Sequence, residues 1–231
     1  MGNFDFSVIT RVWPYLLQGL GFTLEVTLVA TVGGIVLGTL LALGRLSPVK
    51  PLSLACASYV NLMRSVPLIL VIFWFFFLVP SMLGWLIGSE RPVEIGTTRT
   101  ALITFTLFEA AYFCEVVRAG IQSVPRGQVS AASALGLTYF QSMRIVILPQ
   151  AFRAMLPVLL TQTVILFQDT SLLYVISATD FLGAASKIAQ RDGRLVEMYS
   201  FVAIAYFAMC YGMSTLVKKY QKRLNRHLVH A

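Results

Sequence analysis

RAGIQSVPRGQVSAASALGLTYFQSMRIVILPQAFR, residues 118–153, holds arginines at 118, 126, 144 and 153, no acidic residue, and a centre rich in alanine and glycine. It lies between two runs apolar enough to cross a bilayer. A connection of this length with structure of its own is usually functional. GQVSAASALGL predicts a short helix stopped by Gly136, a residue suited to the C-terminal cap. A second helix is expected from about Tyr139 to Ile147, ahead of Pro149. Ala131, Ala132 and Ala134 make the first helix thin, able to seat deep in a partner's groove. The plain alternative is an amphipathic linker lying on lipid headgroups.

Composition places the rest of the chain in a membrane. Of its 231 residues 57% are hydrophobic and 12% are charged, and the mean hydropathy is +0.77. An ordinary soluble domain carries about 25% charged residues. Spanning a hydrocarbon core of roughly 30 Å takes about 20 apolar residues. The runs that qualify are Phe22–Leu43, Val66–Ile87, Ala101–Val117, Leu156–Ile176 and Leu195–Val217. The expected class is therefore all-α and polytopic, with about five membrane helices. Residues 1–18 form an N-terminal extracytoplasmic segment, 19–217 the membrane domain with its insert, and 218–231 a basic tail.

The net charge of +8 follows the membrane rather than pointing to nucleic acid. Arg45, Lys50, Arg64, the four insert arginines and Lys218, Lys219, Lys222, Arg223 and Arg226 fall on one set of connections without any Asp or Glu. Arg11, Arg91, Arg99, Lys187, Arg191 and Arg194 fall on the other, mixed with six acids. Lys and Arg accumulate on the cytoplasmic side. Five crossings then put the N-terminus outside, and the insert and C-terminus inside. The start MGNFDFSVIT lacks a basic n-region, so a cleavable signal is not expected, and Ser7 falls beyond the position a myristoylation signal needs.

Polar residues inside apolar helices are costly and normally face a bundle interior or water. The third span carries Glu109, Tyr112 and Glu115 ahead of Arg118. Glu115 and Arg118, three apart, are expected to pair on one face. Glu109 lies deeper without an obvious partner. Asp169, Thr170 and Ser171 gather a carboxylate and two hydroxyls near the end of the fourth span, where they either break the helix and line a polar cavity or cap its end. Arg64 precedes the second span, either snorkelling to headgroups or facing a partner or the path. Pro67 suits a first helical position with Ser65 just outside it, and residues 51–63 read as a cytoplasmic or interfacial lead-in. Gly34 and Gly38, at GxxxG spacing, suit close helix packing, within one bundle or between two chains. Cys56, Cys114 and Cys210 read as packing residues, and His227 and His230 as a solvated tail, so neither catalytic residues nor a metal site are expected. The sequence has no GxxxxGK[ST] phosphate loop and no HExxH or GxSxG. A chain driven by ATP would thus couple mechanically to a separate ATPase.

At the insert the sequence resembles the integral-membrane permeases of ABC importers. Their signature is EAA, three residues, Gly, nine residues, Ile, one residue, Leu-Pro. Ala131, Ala132, Gly136, Leu148 and Pro149 match it at the same spacing, while Ser130 stands at the Glu position and Val146 at the Ile position. RSVP at 64–67, EVVRAGIQSVPRGQ at 115–128, LPQAFRAMLP at 148–157 and DTSL at 169–172 resemble the polar amino-acid uptake subfamily. FEAAYFCEVVRAGIQS and LTQTVILFQDTSLLYV are similar to its glutamate/aspartate importer permeases, although many subfamily members carry Lys where Gln168 stands.

The resemblance implies a type I importer fold in a bacterial inner membrane, a second permease subunit (identical or a sister chain), two cytoplasmic ATPases and an extracytoplasmic amino-acid-binding protein. ATP and magnesium would bind the ATPase, with no cofactor on this chain. Ser130, Ala131, Ala132, Gly136, Leu148 and Pro149 would couple to the motor. Glu109, Tyr112, Asp169, Thr170, Ser171 and Arg64 are the candidate path residues, an acid meeting the substrate's ammonium and hydroxyls or Arg64 its carboxylates. A motor-independent carrier using Glu109, Glu115 and Asp169 is the competing reading, and it leaves the acid-free insert unexplained. A scaffold without transport explains the insert and leaves the intramembrane acids unexplained.

Overall fold

Five helices are long and apolar enough to cross a membrane within residues 7–226, the part that this computed structural model describes. MGNFDF and the tail holding His227 and His230 lie outside the described residues. The order is α1 (Ser7–Arg45), α2 (Lys50–Ser65), α3 (Leu68–Phe73), α4 (Val79–Leu86), α5 (Thr97–Gln122), α6 (Arg126–Ala134), α7 (Tyr139–Ser142), α8 (Leu148–Asp169), α9 (Phe181–Asp192) and α10 (Leu195–Arg226).

Helix α1 has 39 residues, or about 58 Å at 1.5 Å per residue, and overshoots a bilayer core. The expected boundary after residue 18 falls inside this helix. Val8, Ile9, Val12 and Leu16 recur at helical spacing and bury against Phe181, Ala184, Ala185 and Ile188 of α9, so the N-terminal third is tied down. Gly19 marks the crossing, since a Cβ there would lie 2.8 Å from both Ala184 Cβ and the Asp180 carbonyl oxygen.

Helix α5 is the centre of the bundle, with Phe105 and Phe113 fully buried. The GxxxG pair packs α1 onto it within this chain. A Cβ on Gly34 would sit 2.9 Å from the Phe113 ring, and one on Gly38 would sit 2.8 Å from the Ala110 carbonyl oxygen.

Residues 51–63 are not a simple interfacial lead-in. Helix α2 folds back on α1 and α5, burying Val60 against Ala42, Ala111 and Cys114. The Tyr59 hydroxyl donates to the Leu107 carbonyl at 2.7 Å, and burial pushes its pKa up to about 12. Cys56 is half-buried, and Cys114 and Cys210 are buried. Ser65 ends α2 and bonds back to the Asn61 carbonyl at 2.7 Å instead of capping the next helix. Val66, held extended ahead of Pro67, makes the break.

Two prolines are absorbed by the same device. Trp74–Leu78 and Met143–Ile147 are single π turns, closed by N–H bonds from Val79 to the Trp74 carbonyl and from Leu148 to the Met143 carbonyl. Pro80 and Pro149 follow directly. A proline has no N–H and clashes with the carbonyl four residues back, and the widened turn lets the axis continue. The insert's second helix and the fourth span, expected as separate pieces, are thus one helical path from Phe140 to Ile176, its last stretch a 3-10 turn over Thr170–Ile176. Helix α9, unforeseen in the sequence, starts at Asp180, whose Oδ2 accepts the Leu182 N–H at 3.1 Å.

Candidate functional site

The intramembrane polar residues converge from three helices. Glu109 and Tyr112 lie three apart on α5, and Gln162 and Asp169 lie seven apart on α8, so each pair shares a helix face. Arg64 arrives from the end of α2. Glu109 is completely buried. Its Oε2 accepts the Gln162 Nε2–H at 3.0 Å, while its Oε1 has no partner among the described residues. Asp169 is close enough to act electrostatically on both Glu109 and Tyr112. The Arg64 guanidinium carbon lies 5.5 Å from the centre of the Tyr112 ring, a cation–π distance.

Arg64 also joins this cluster to a second one. Its Nη1 is 3.6 Å from Glu115 Oε1, the oxygen that Arg45 contacts as well. Arg118 donates to Glu115 Oε2 through Nε at 3.0 Å and Nη2 at 2.6 Å. The expected Glu115–Arg118 pair is present and is part of a larger hub holding the ends of α1, α2 and α5. Three guanidinium groups around one carboxylate leave positive charge in excess, and Arg64, with 41% of its side chain exposed, is the most accessible of the three.

The hydroxyls divide. Thr170 is buried, and its Oγ1 donates to the Phe167 carbonyl at 2.7 Å. Ser171 is half-buried. Gln162 escaped sequence reading, although an amide seven residues ahead of Asp169 in an apolar stretch was a usable signal. Among the described residues, no group of three or more His, Cys, Asp or Glu could hold a metal ion.

The insert is rigidly built. Gly136, at φ +75°, takes the left-handed turn that side chains resist. Around it the Leu137 N–H bonds the Ala132 carbonyl at 3.1 Å and the Gly136 N–H bonds the Ser133 carbonyl at 3.0 Å, a Schellman closure. The following path opens with a capping box, in which the Thr138 N–H donates to Gln141 Oε1 at 2.9 Å and the Gln141 N–H donates to Thr138 Oγ1 at 3.4 Å. Gln150 Nε2 donates to Gln128 Oε1 at 3.3 Å and ties α6 to α8. Ala132 is the inward face of α6, while Ser130, Ala131, Ala134, Leu148 and Pro149 are exposed. Leu135 and Phe140 stand out with 81% and 73% exposure.

Residues 34–227 match the family described as the binding-protein-dependent transport system inner membrane component. The chain is 49% identical over 223 residues to the glutamate/aspartate import permease protein GltK of Escherichia coli, covering 96% of this chain and 99% of that one. It is 32% identical to the L-cystine transport system permease protein TcyB of Bacillus subtilis, over 94% of this chain and 89% of that one. A solved amino acid ABC transporter with histidines superposes with a TM-score of 0.84 at 30% identity, over 95% of this chain and 98% of its counterpart. This chain belongs to the family of ABC importer inner-membrane permeases, a membrane component rather than a catalytic subunit. The motor-independent carrier is thereby set aside.

Proposed function

We propose, from this family membership, that the chain forms half of the pore of an ATP-driven importer for an acidic amino acid, glutamate or aspartate. The observation that carries the substrate reading is the juxtaposition of an unpartnered buried Glu109 oxygen, Asp169, and the guanidinium of Arg64 across the Tyr112 ring. An amino-acid dicarboxylate offers one ammonium and two carboxylates. Glu109 and Asp169 suit the ammonium, and Arg64, only loosely held by Glu115, suits a carboxylate. Likeness to GltK supports the same substrate.

A cytoplasmic ATPase pair, a second permease subunit and an extracytoplasmic amino-acid-binding protein complete the machine. ATP and magnesium act on the ATPase. The acid-free basic connections support an N-terminus outside and an insert and C-terminus inside. Ser130, Ala131, Gly136, Leu148 and Pro149 lie on or beside the surface that meets the motor. One helical path joins that surface to Gln162 and Asp169, about 30 Å along the axis from Pro149 to Asp169. Motion imposed on the insert reaches the polar cluster along this path, with Pro157 in its interior as a place where it can bend. The motor need only hold the insert differently in its two states.

Reconstitution with the ATPase and binding protein, with radiolabelled glutamate as cargo, tests the reading. Competition by aspartate and not by arginine or glutamine is the expected result. ATP-driven uptake of arginine in place of glutamate overturns the substrate assignment, and uptake that persists without the ATPase overturns the mechanism.

A further inference from the structure

The two oxygens of Glu115 are shared unequally among the three arginines that close on it. Oε2 takes both bonds from Arg118, which is tied in turn to Gln122 Oε1 through Nη1 at 2.6 Å. Oε1 is taken by Arg45. Arg45 ends α1, and its own carbonyl accepts the Ser53 Oγ–H at 2.8 Å across the turn into α2. Its side chain is the least exposed of the three at 16%. Arg45 and Arg118 are thus both anchored independently of Arg64.

Arg64 comes last. Its Nη1 stops 3.6 Å from the oxygen that Arg45 holds, roughly 0.7 Å short of a charge-assisted hydrogen bond. Among the described residues Arg64 makes no hydrogen bond, and its other contact is the Tyr112 ring. Two guanidinium groups at one oxygen repel each other, and the better-anchored one keeps the closer place. All the N–H donors of Arg64 therefore stay open to an incoming carboxylate. Were Oε1 vacated, the same short distance would let Arg64 close onto Glu115. Three arginines against one carboxylate also leave two positive charges uncompensated beside the polar cluster.

We propose that Arg45 is a positioning residue for import: by occupying Glu115 Oε1 it keeps Arg64 available to a substrate carboxylate. This role rests on Arg64 meeting that carboxylate, as proposed for the pore, and adds a residue outside the path that sets the path's affinity. Without Arg45, substrate and Glu115 compete for one guanidinium. The test is equilibrium binding of radiolabelled glutamate to the assembled permease–ATPase complex without the binding protein, so that affinity reports the pore. Arg45→Gln is expected to weaken binding about tenfold, the scale of one charge-assisted hydrogen bond. Arg45→Gln with Glu115→Gln removes the competing carboxylate, keeps the excess of two positive charges, and is expected to regain most of the affinity. A purely structural clamp predicts the reverse, since a second substitution in the hub adds to the damage of the first. A double variant no better than Arg45→Gln, or full-strength binding by Arg45→Gln, overturns the proposal. So does loss of ATPase co-purification in Arg45→Gln that Glu115→Gln does not repair. Arg64→Gln separates the two readings. Binding unchanged by Arg64→Gln overturns the carboxylate assignment itself, whereas binding weakened by Arg64→Gln and not by Arg45→Gln overturns only the positioning role. No saturable binding by the unaltered complex overturns both.

Discussion

Gln162 holds Glu109: a side-chain amide on α8 donates at 3.0 Å to one oxygen of a fully buried carboxyl on α5, and the other oxygen is left open. A polar group this deep is tolerated only when it is paired or serves a ligand.

Replacing Gln162 by Leu removes the one bond to Glu109 while keeping bulk. Leaving a buried polar group without its partner costs about 1–3 kcal/mol. Thermal unfolding in detergent is expected to move down by several degrees, and the double variant Gln162→Leu/Glu109→Leu to recover much of that loss. No recovery in the double variant would show that the two residues act independently.

Asp169→Ala is expected to reduce uptake at least roughly tenfold, the scale of one charge-assisted hydrogen bond. Assembly, judged by co-purification of the ATPase, stays intact. Normal uptake by this variant rules out a path role for Asp169.

A Cβ at Gly136 would meet open space, and the obstacle to a side chain there is the backbone, whose φ is +75°. Ala there is expected to cost about 1 kcal/mol and to weaken coupling slightly. Arg at the same place adds bulk at the docking face, and ATPase activity that no longer drives uptake is the expected phenotype. Coupled transport by Gly136→Arg contradicts the assigned role.

Asp180 lies outside the spans, and burial pushes its carboxyl up to about 6 against the pull of backbone N–H donors. The folded pKa exceeds the ordinary value of about 3.9, so the fold favours the protonated form. That contribution is full below about pH 4 and is lost as pH rises through 6. Unfolding scans should therefore show the protein losing a few degrees of Tm between pH 5 and pH 8. Asp180→Asn keeps the helix cap and flattens this dependence; an identical slope in the variant would assign it to another group.

Much of the membrane path was legible because apolar runs long enough to cross a bilayer announce themselves. Gly136 and Pro67 were legible as breaks because backbone chemistry leaves them few alternatives. The return of α2 onto α5 was hidden, because its packing face consists of small or moderately polar residues such as Cys56, Tyr59 and Val60, which no hydropathy pattern singles out. Pro149 misled in the other direction: a proline ordinarily ends a helix, and only the i→i+5 bond of Leu148 lets this one pass. Helix α9 was obscured because its buried face, beside Phe181 and Ile188, is made of Ala184, Ala185 and Ala189, with charges between. At the polar cluster the acids were visible from their setting, whereas the meeting of Glu109 with Gln162, 53 positions apart, is a product of tertiary packing.

The wide turn over Met143–Ile147 has a rotational meaning. A π turn amounts to one surplus residue in an α-helix, and each residue advances the azimuth by about 100°. The widened turn absorbs that surplus, so everything downstream, Gln162 and Asp169 included, keeps its bearing around the axis. Excising one residue at the bulge would leave an ordinary α turn and both side chains facing Glu109, whereas excising one further along α8, where no slack exists, would swing both about 100° away, so the bulge works as a buffer for the angular setting of the pore.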